Sequence, residues 1–232
     1  MRGSFVVCML AVAALAAGLA AAQAGARSAV KRCGASTYSY AGVQAATRAD
    51  GIAASLTPVG VPRVADGHVG GWIGLGGPSA GPRGTAEWIQ VGFASFMPDQ
   101  SIRLYYETSV GGGAARYVEL SRDVAVGERH DLAVLELPTR ASWWRVWVDG
   151  RPVSPAIRLP GSHGRWSPQA LAENWTGDTG ACNTFGYRFS NVRLAAPSGG
   201  WRPLEEGYVV QDRGYRVLQT SRDPRTFVAR SA

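Results

Sequence analysis

Short runs in which apolar and polar side chains alternate, each closed by glycine, proline, aspartate or serine, make up most of this chain. In Glu87-Trp88-Ile89-Gln90-Val91-Gly92-Phe93 a two-residue period puts Ile89, Val91 and Phe93 on one face and Trp88, Gln90 and Gly92 on the other. An amphipathic helix needs a 3.6-residue period, and past the N-terminal segment no stretch offers one. Runs rich in Val, Ile, Tyr and Trp predict strands over 68–75, 87–95, 102–109, 116–120, 130–137, 143–148, 152–159, 169–175 and 185–194. Asp149-Gly150 is the sharpest turn signal, because a two-residue hairpin turn with positive φ favours that pair. Residues 208–211 and 215–219 flank Asp212-Arg213-Gly214 and predict one more hairpin, a C-terminal extension from about residue 200. No internal repeat is evident, which argues against a propeller or solenoid. The expectation is all-β: a sandwich or barrel.

Residues 1–26 read as a secretory signal, with Arg2 before an apolar run and small residues at Ala22, Ala24 and Ala26 offering cleavage sites. That run is shorter than the roughly 20 apolar residues a membrane helix needs. A secreted protein with a single domain over 27–232, free of the membrane and monomeric, is expected. With Cys8 removed, Cys33 and Cys182 remain, an even number in an oxidising compartment, which predicts one disulfide. Closing so long a loop contributes roughly 4 to 5 kcal/mol in the chain-entropy model. The formal charge of +7 is almost wholly arginine, Lys31 being the only lysine. Because the arginines are scattered along the sequence, a mildly basic solvated surface is expected rather than a nucleic-acid site, with attraction to an anionic polymer as the open alternative.

Several strands set a polar and aromatic face against an apolar one. Glu173 and Trp175 share a face of Leu171-Ala172-Glu173-Asn174-Trp175, Tyr105 and Glu107 alternate with Leu104 and Tyr106, and Trp143, Arg145 and Trp147 alternate with Trp144, Val146 and Val148. Such a surface suits an extended polymer.

The order of segments is itself a signal: Trp72-Ile73-Gly74-Leu75-Gly76-Gly77, Trp88-Ile89-Gln90-Val91-Gly92, Leu104-Tyr105-Tyr106-Glu107, Val126-Gly127-Glu128, Ala172-Glu173 and Phe185-Gly186-Tyr187-Arg188-Phe189. This series, over roughly 70–195, resembles the glutamic peptidases, or eqolisins. The resemblance implies a concanavalin A-like sandwich (jelly roll) of two antiparallel sheets. It also implies catalysis by Gln90 and Glu173: Glu173 takes a proton from an attacking water, and the Gln90 amide stabilises the oxyanion. Trp88, Tyr105, Glu107, Trp72 and Trp175 are the candidate substrate contacts on a polypeptide. Neither cofactor nor metal is implied.

Two other classes fit the same residues. A lectin-like sandwich would hold a polysaccharide on its aromatic face without cleaving it, and a glycosidase would use Glu107 and Glu173 as paired carboxylates. His68, His130 and His163 lie far apart in sequence and are expected to be structural, with no close zinc-ligand pair. No Gly-x-Ser-x-Gly elbow occurs, and Gly74, Gly76 and Gly77 are expected to be turn and packing glycines. Asn174-Trp175-Thr176 fits the N-glycosylation pattern.

Overall fold

The computed structural model describes residues 38–177, 179–219 and 223–232. In chain order the strands are β1 (Tyr38–Ala45), β2 (Gly51–Pro58), β3 (His68–Gly77), β4 (Glu87–Phe96), β5 (Arg103–Ser109), β6 (Arg116–Ser121), β7 (His130–Glu136) and β8 (Trp143–Val148). They continue with β9 (Arg151–Pro152), β10 (Ile157–Arg158), β11 (Gln169–Trp175), β12 (Gly186–Ala195), β13 (Trp201–Pro203), β14 (Gly207–Gln211), β15 (Tyr215–Leu218) and β16 (Phe227–Ser231). A single 3₁₀ turn, Pro82–Gly84, is the one helical element among the described residues, so no helix there is long and apolar enough to cross a membrane.

Two antiparallel sheets result. The first runs β14-β1-β11-β3-β4-β5-β6, and the second β10-β8-β7-β2-β12-β16-β15 with β9 on β8 and β13 on β12. The alternation explains their stacking. Ile89, Val91 and Phe93 of β4 are fully buried and meet Ile52 and Leu56 of β2, Leu132 and Val134 of β7, and Phe189 of β12 in one core. Each such side chain contributes roughly 1.5–3 kcal/mol on burial. Tyr187 of β12 packs so closely over Gly71 of β3 that a Cβ there would sit 2.5 Å from its ring.

Asp149-Gly150 makes its hairpin, with φ of 49° and 75° and Val148 paired to Arg151. The strand expected over 152–159 is a correction: only Arg151–Pro152 and Ile157–Arg158 pair, because Pro152 and Pro155 lack the N–H a ladder needs, and Ser154 Oγ takes the Val146 N–H instead. The C-terminal hairpin is another. β14 joins β1 in the first sheet while β15 joins β16 in the second, so the turn at Asp212-Arg213-Gly214 carries the chain from one sheet to the other. Asp212 fixes that corner, its carboxylate accepting the Tyr40 N–H at 2.8 Å and its own N–H donating to Tyr40 O at 2.9 Å. Residues 1–26 and Cys33 lie outside the described residues, so the signal segment and the Cys33–Cys182 pairing remain expectations.

Candidate active site

The outward face of the first sheet carries the candidate residues in three cross-strand rows. Tyr40, Glu173, Gly70, Ala94 and Arg103 form one, and Leu171, Trp72, Gly92 and Tyr105 the next. Gln169, Gly74, Gln90, Glu107 and Tyr117 form the third. Glu173 and Gln90 therefore stand on either side of β3, four positions apart along it, with Trp72 and Tyr105 between them. Glycine at 70, 74 and 92 leaves this floor without side chains. A Cβ at Gly92 would lie 2.0 Å from Gly71 O, so the strands come together only because that atom is missing.

Two hollows open above the floor. One of about 290 Å³ is lined by His68, Phe96, Arg103, Tyr117 and the site residues, and another of about 540 Å³ by Tyr38, Tyr40, Leu75, Trp72, Trp88 and Val210; Gln90, Glu107 and Glu173 line both. Of the sequence candidates, Tyr105 reaches the smaller, and Trp72 and Trp88 the larger. Trp175 lines neither: it sits at the end of β11, its ring 5.5 Å from His68 and 6.3 Å from Tyr38.

Each polar group is held. Glu173 is only 12 % exposed at its side chain; Oε1 lies 3.0 Å from His68 Nε2, and Oε2 accepts the Trp72 indole N–H at 3.2 Å. An ionised carboxylate has about four acceptor sites, so capacity for a water proton remains. Gln90 donates one amide hydrogen to Tyr105 Oη at 3.1 Å, leaving the second for a substrate oxygen. Trp88 donates to Glu107 Oε1 at 3.0 Å.

Burial above all pushes the Glu107 carboxyl above its usual range; the Trp88 N–H opposes this, the negative charge of Glu173 adds to it, and His68 opposes it. Burial also raises the Tyr38, Tyr40 and Tyr105 phenols, with Glu173 adding in each case, so all three remain neutral donors across the acid range.

His68 is the residue that sequence reasoning missed, having been assigned a purely structural role. Its ring is flanked by Phe96 at 5.4 Å and Trp175 at 5.5 Å. Buried Asn183 fixes the approach to both partners: its amide donates to Asp66 O at 2.7 Å and Asn174 Oδ1 at 2.8 Å, and its carbonyl accepts the Ala65 N–H at 2.8 Å. That ties the segment before His68 to the residue after Glu173. Asn174 is accordingly fully buried, which removes it as a glycosylation acceptor in the folded chain. Tyr38 and Tyr40 were missed because β1 was not predicted.

Among the described residues one group has the composition of a metal site, Asp50, Glu136 and His163, whose ligand atoms lie within 4.8 Å of one another. Glu136 already accepts the Ser142 N–H and lies 3.0 Å from His163 Nδ1, so Glu136 and His163 satisfy one another as an ion pair.

No protein-family model matches the sequence, and no curated protein matches it. Solved structures do match in fold. Scytalido-glutamic peptidase, crystallised with a peptide-based transition-state analogue, superposes with a TM-score of 0.60 at 14 % identity over 88 % of this chain and 100 % of that one. SCP-B, a member of the eqolisin family of peptidases in complex with the tripeptide Ala-Ile-His, gives 0.55 at 13 % identity over the same shares. At such identities the likeness is one of fold.

Proposed function

We propose that this chain is an exported acid endopeptidase of the glutamic-peptidase type. The observation that carries the reading is that Gln90 and Glu173, distant in sequence, line the same two hollows on one sheet face, each already oriented by a second side chain. The two fold neighbours described above are peptidases, one bound to a transition-state analogue and one to a tripeptide.

In this mechanism an extended peptide lies along the trough with its scissile carbonyl between the two residues. Glu173 takes a proton as water oxygen attacks the carbonyl carbon, and the carbonyl π pair moves to oxygen, where the free Gln90 N–H stabilises it. Collapse breaks the C–N bond, and Glu173 returns its proton to the leaving nitrogen. His68 and Trp72 hold the carboxylate through both steps. Glu107, kept neutral in acid by burial, contacts substrate without placing a second negative charge in the trough.

The test is cleavage of an acid-denatured protein between about pH 2 and 5, around an ordinary glutamate pKa. Activity should vanish in Glu173→Gln and fall steeply in Gln90→Ala. Cleavage that survives Glu173→Gln removes the assigned base.

One observation favours a second reading. Tyr38, Tyr40, Trp72 and Trp88 around the larger hollow form a wall on which sugar rings could stack, as in a lectin-like binder. Glycan retention at this face with no proteolysis at any acidic pH would select that reading.

A further inference from the structure

The arginines, dispersed in sequence, are gathered by the fold. Arg145 on β8, Arg188 and Arg193 on β12, Arg230 on β16 and Arg216 on β15 alternate with buried core residues and so face outward from the second sheet. Against them the strands of that sheet carry only two carboxylates, Asp131 and the buried Glu136. None of the five arginines forms an ion pair or a side-chain hydrogen bond among the described residues, and Arg145 Nε and Arg193 Nε are buried with no partner in the protein. The strands of the other sheet face outward with Glu107, Glu119 and Glu173, and there Arg103 is taken up by Asp99 and Glu119. Among the described strands, the excess of positive charge thus lies on the sheet away from the trough.

Aromatic rings lie among these cations. One cross-strand row reads Pro152, Trp147, Ala133, Ala53, Arg193 and Pro203, a flat strip with an indole at one end and a guanidinium at the other. Arg193 lies 5.9 Å from the Trp201 ring, and Arg140 is stacked 3.8 Å over Trp143. By strand spacing Arg145 and Arg193 stand about 15 Å apart. A phosphodiester chain calls for denser cations than this. A polymer of sugar rings, each with one carboxylate and an apolar ring face, meets both components: indoles take the ring faces, and the planar guanidinium forks take the carboxylates.

We propose that the outer face of the second sheet is a binding surface for an acidic polysaccharide, with Arg145, Arg188 and Arg193 receiving carboxylates and Trp147 and Trp201 receiving sugar rings. The surface is independent of the peptidase reading, and it leaves the trough open while the protein is held by its back.

Affinity electrophoresis of the protein in native gels containing polygalacturonate tests this, with dextran as the neutral control. Polygalacturonate should retard it and dextran should not. Arg145→Gln/Arg193→Gln should weaken retention about tenfold, and Arg188→Gln/Arg230→Gln, at two exposed positions, should weaken it in the same direction. Glu173→Gln should bind like the parent protein, which separates this surface from the trough. Absence of retardation, retention unchanged in both double variants, or equal binding to single-stranded DNA or to phosphatidylglycerol vesicles overturns the proposal.

Discussion

His68 and Glu173, on strands β3 and β11, meet through Nε2 and Oε1 at 3.0 Å, which leaves the Trp72 indole to orient the other carboxylate oxygen. If Glu173 is the base, both contacts set its angle toward the water. Trp72→Phe keeps a ring in place and deletes the donor, so kcat should fall about tenfold with a much smaller change in KM, the size expected for one hydrogen bond to a charged group. His68→Gln, which retains a donor, should keep more activity than His68→Ala. Steady-state kinetics on a fluorogenic peptide measure both, and equal losses in the two His68 variants would deny the positioning role.

Glu107 gives a prediction in pH. Its raised carboxyl pKa means that the neutral form prevails in acid and a second negative charge enters the trough as pH rises. Glu107→Gln imitates the neutral form at every pH. Activity at the acid end should be retained, and the alkaline limb of the pH–rate profile should move upward. A limb that stays in place assigns the loss to another group.

Glu87 is fully buried beside the 3₁₀ turn, with Oε2 accepting the Gly161 N–H at 2.9 Å and Oε1 lacking a partner. Burial raises its pKa, and the Gly161 hydrogen bond only partly opposes this. A carboxyl whose folded pKa is raised stabilises the fold fully below its unfolded pKa, and that contribution is lost as pH rises through the folded value. Relative to Glu87→Gln, which cannot ionise, the parent protein should therefore lose thermal stability from acid toward neutral pH, the gap between the two melting temperatures changing by a few degrees. Thermal unfolding at the two pH values reads it directly.

Gly71→Ala tests the packing between the sheets. The added Cβ would meet the Tyr187 ring at 2.5 Å, and Tyr187 is itself buried in the core. A cost of roughly 1–3 kcal/mol is expected, as for other overpacked interiors. Urea denaturation should show a lower midpoint with an unchanged slope.

Much of the first sheet was legible because its strands alternate strongly: the ranges for β4, β5, β6 and β11 fall within a residue or so of those expected, and Gln90, Glu107 and Glu173 were assigned to the correct faces. β1 and β2 were not. Gly51-Ile52-Ala53-Ala54-Ser55 is poor in β-branched residues, yet it lies mid-sheet between β7 and β12 with Ile52 and Ala54 in the core, so tertiary packing overrides weak propensity. His68 was unreadable for another reason. Its meaning comes from its neighbour across β11, and the one-residue shift that decides which side chains meet has no local signature. The basic face was hidden likewise, since strands brought together from across the chain assemble it.

The turn at Asp212 gives the end of the chain a role its polarity conceals. By lending β14 to one layer and β15 and β16 to the other, the last stretch of polypeptide works as a seam down one side of the molecule, and trimming it would expose the flank of both layers at once. Removal of residues 207–232 is thus expected to bare β1, the strand next to Glu173, along the edge that now lies against β14. A segment that resembles an appendage is in this architecture part of the wall of the trough.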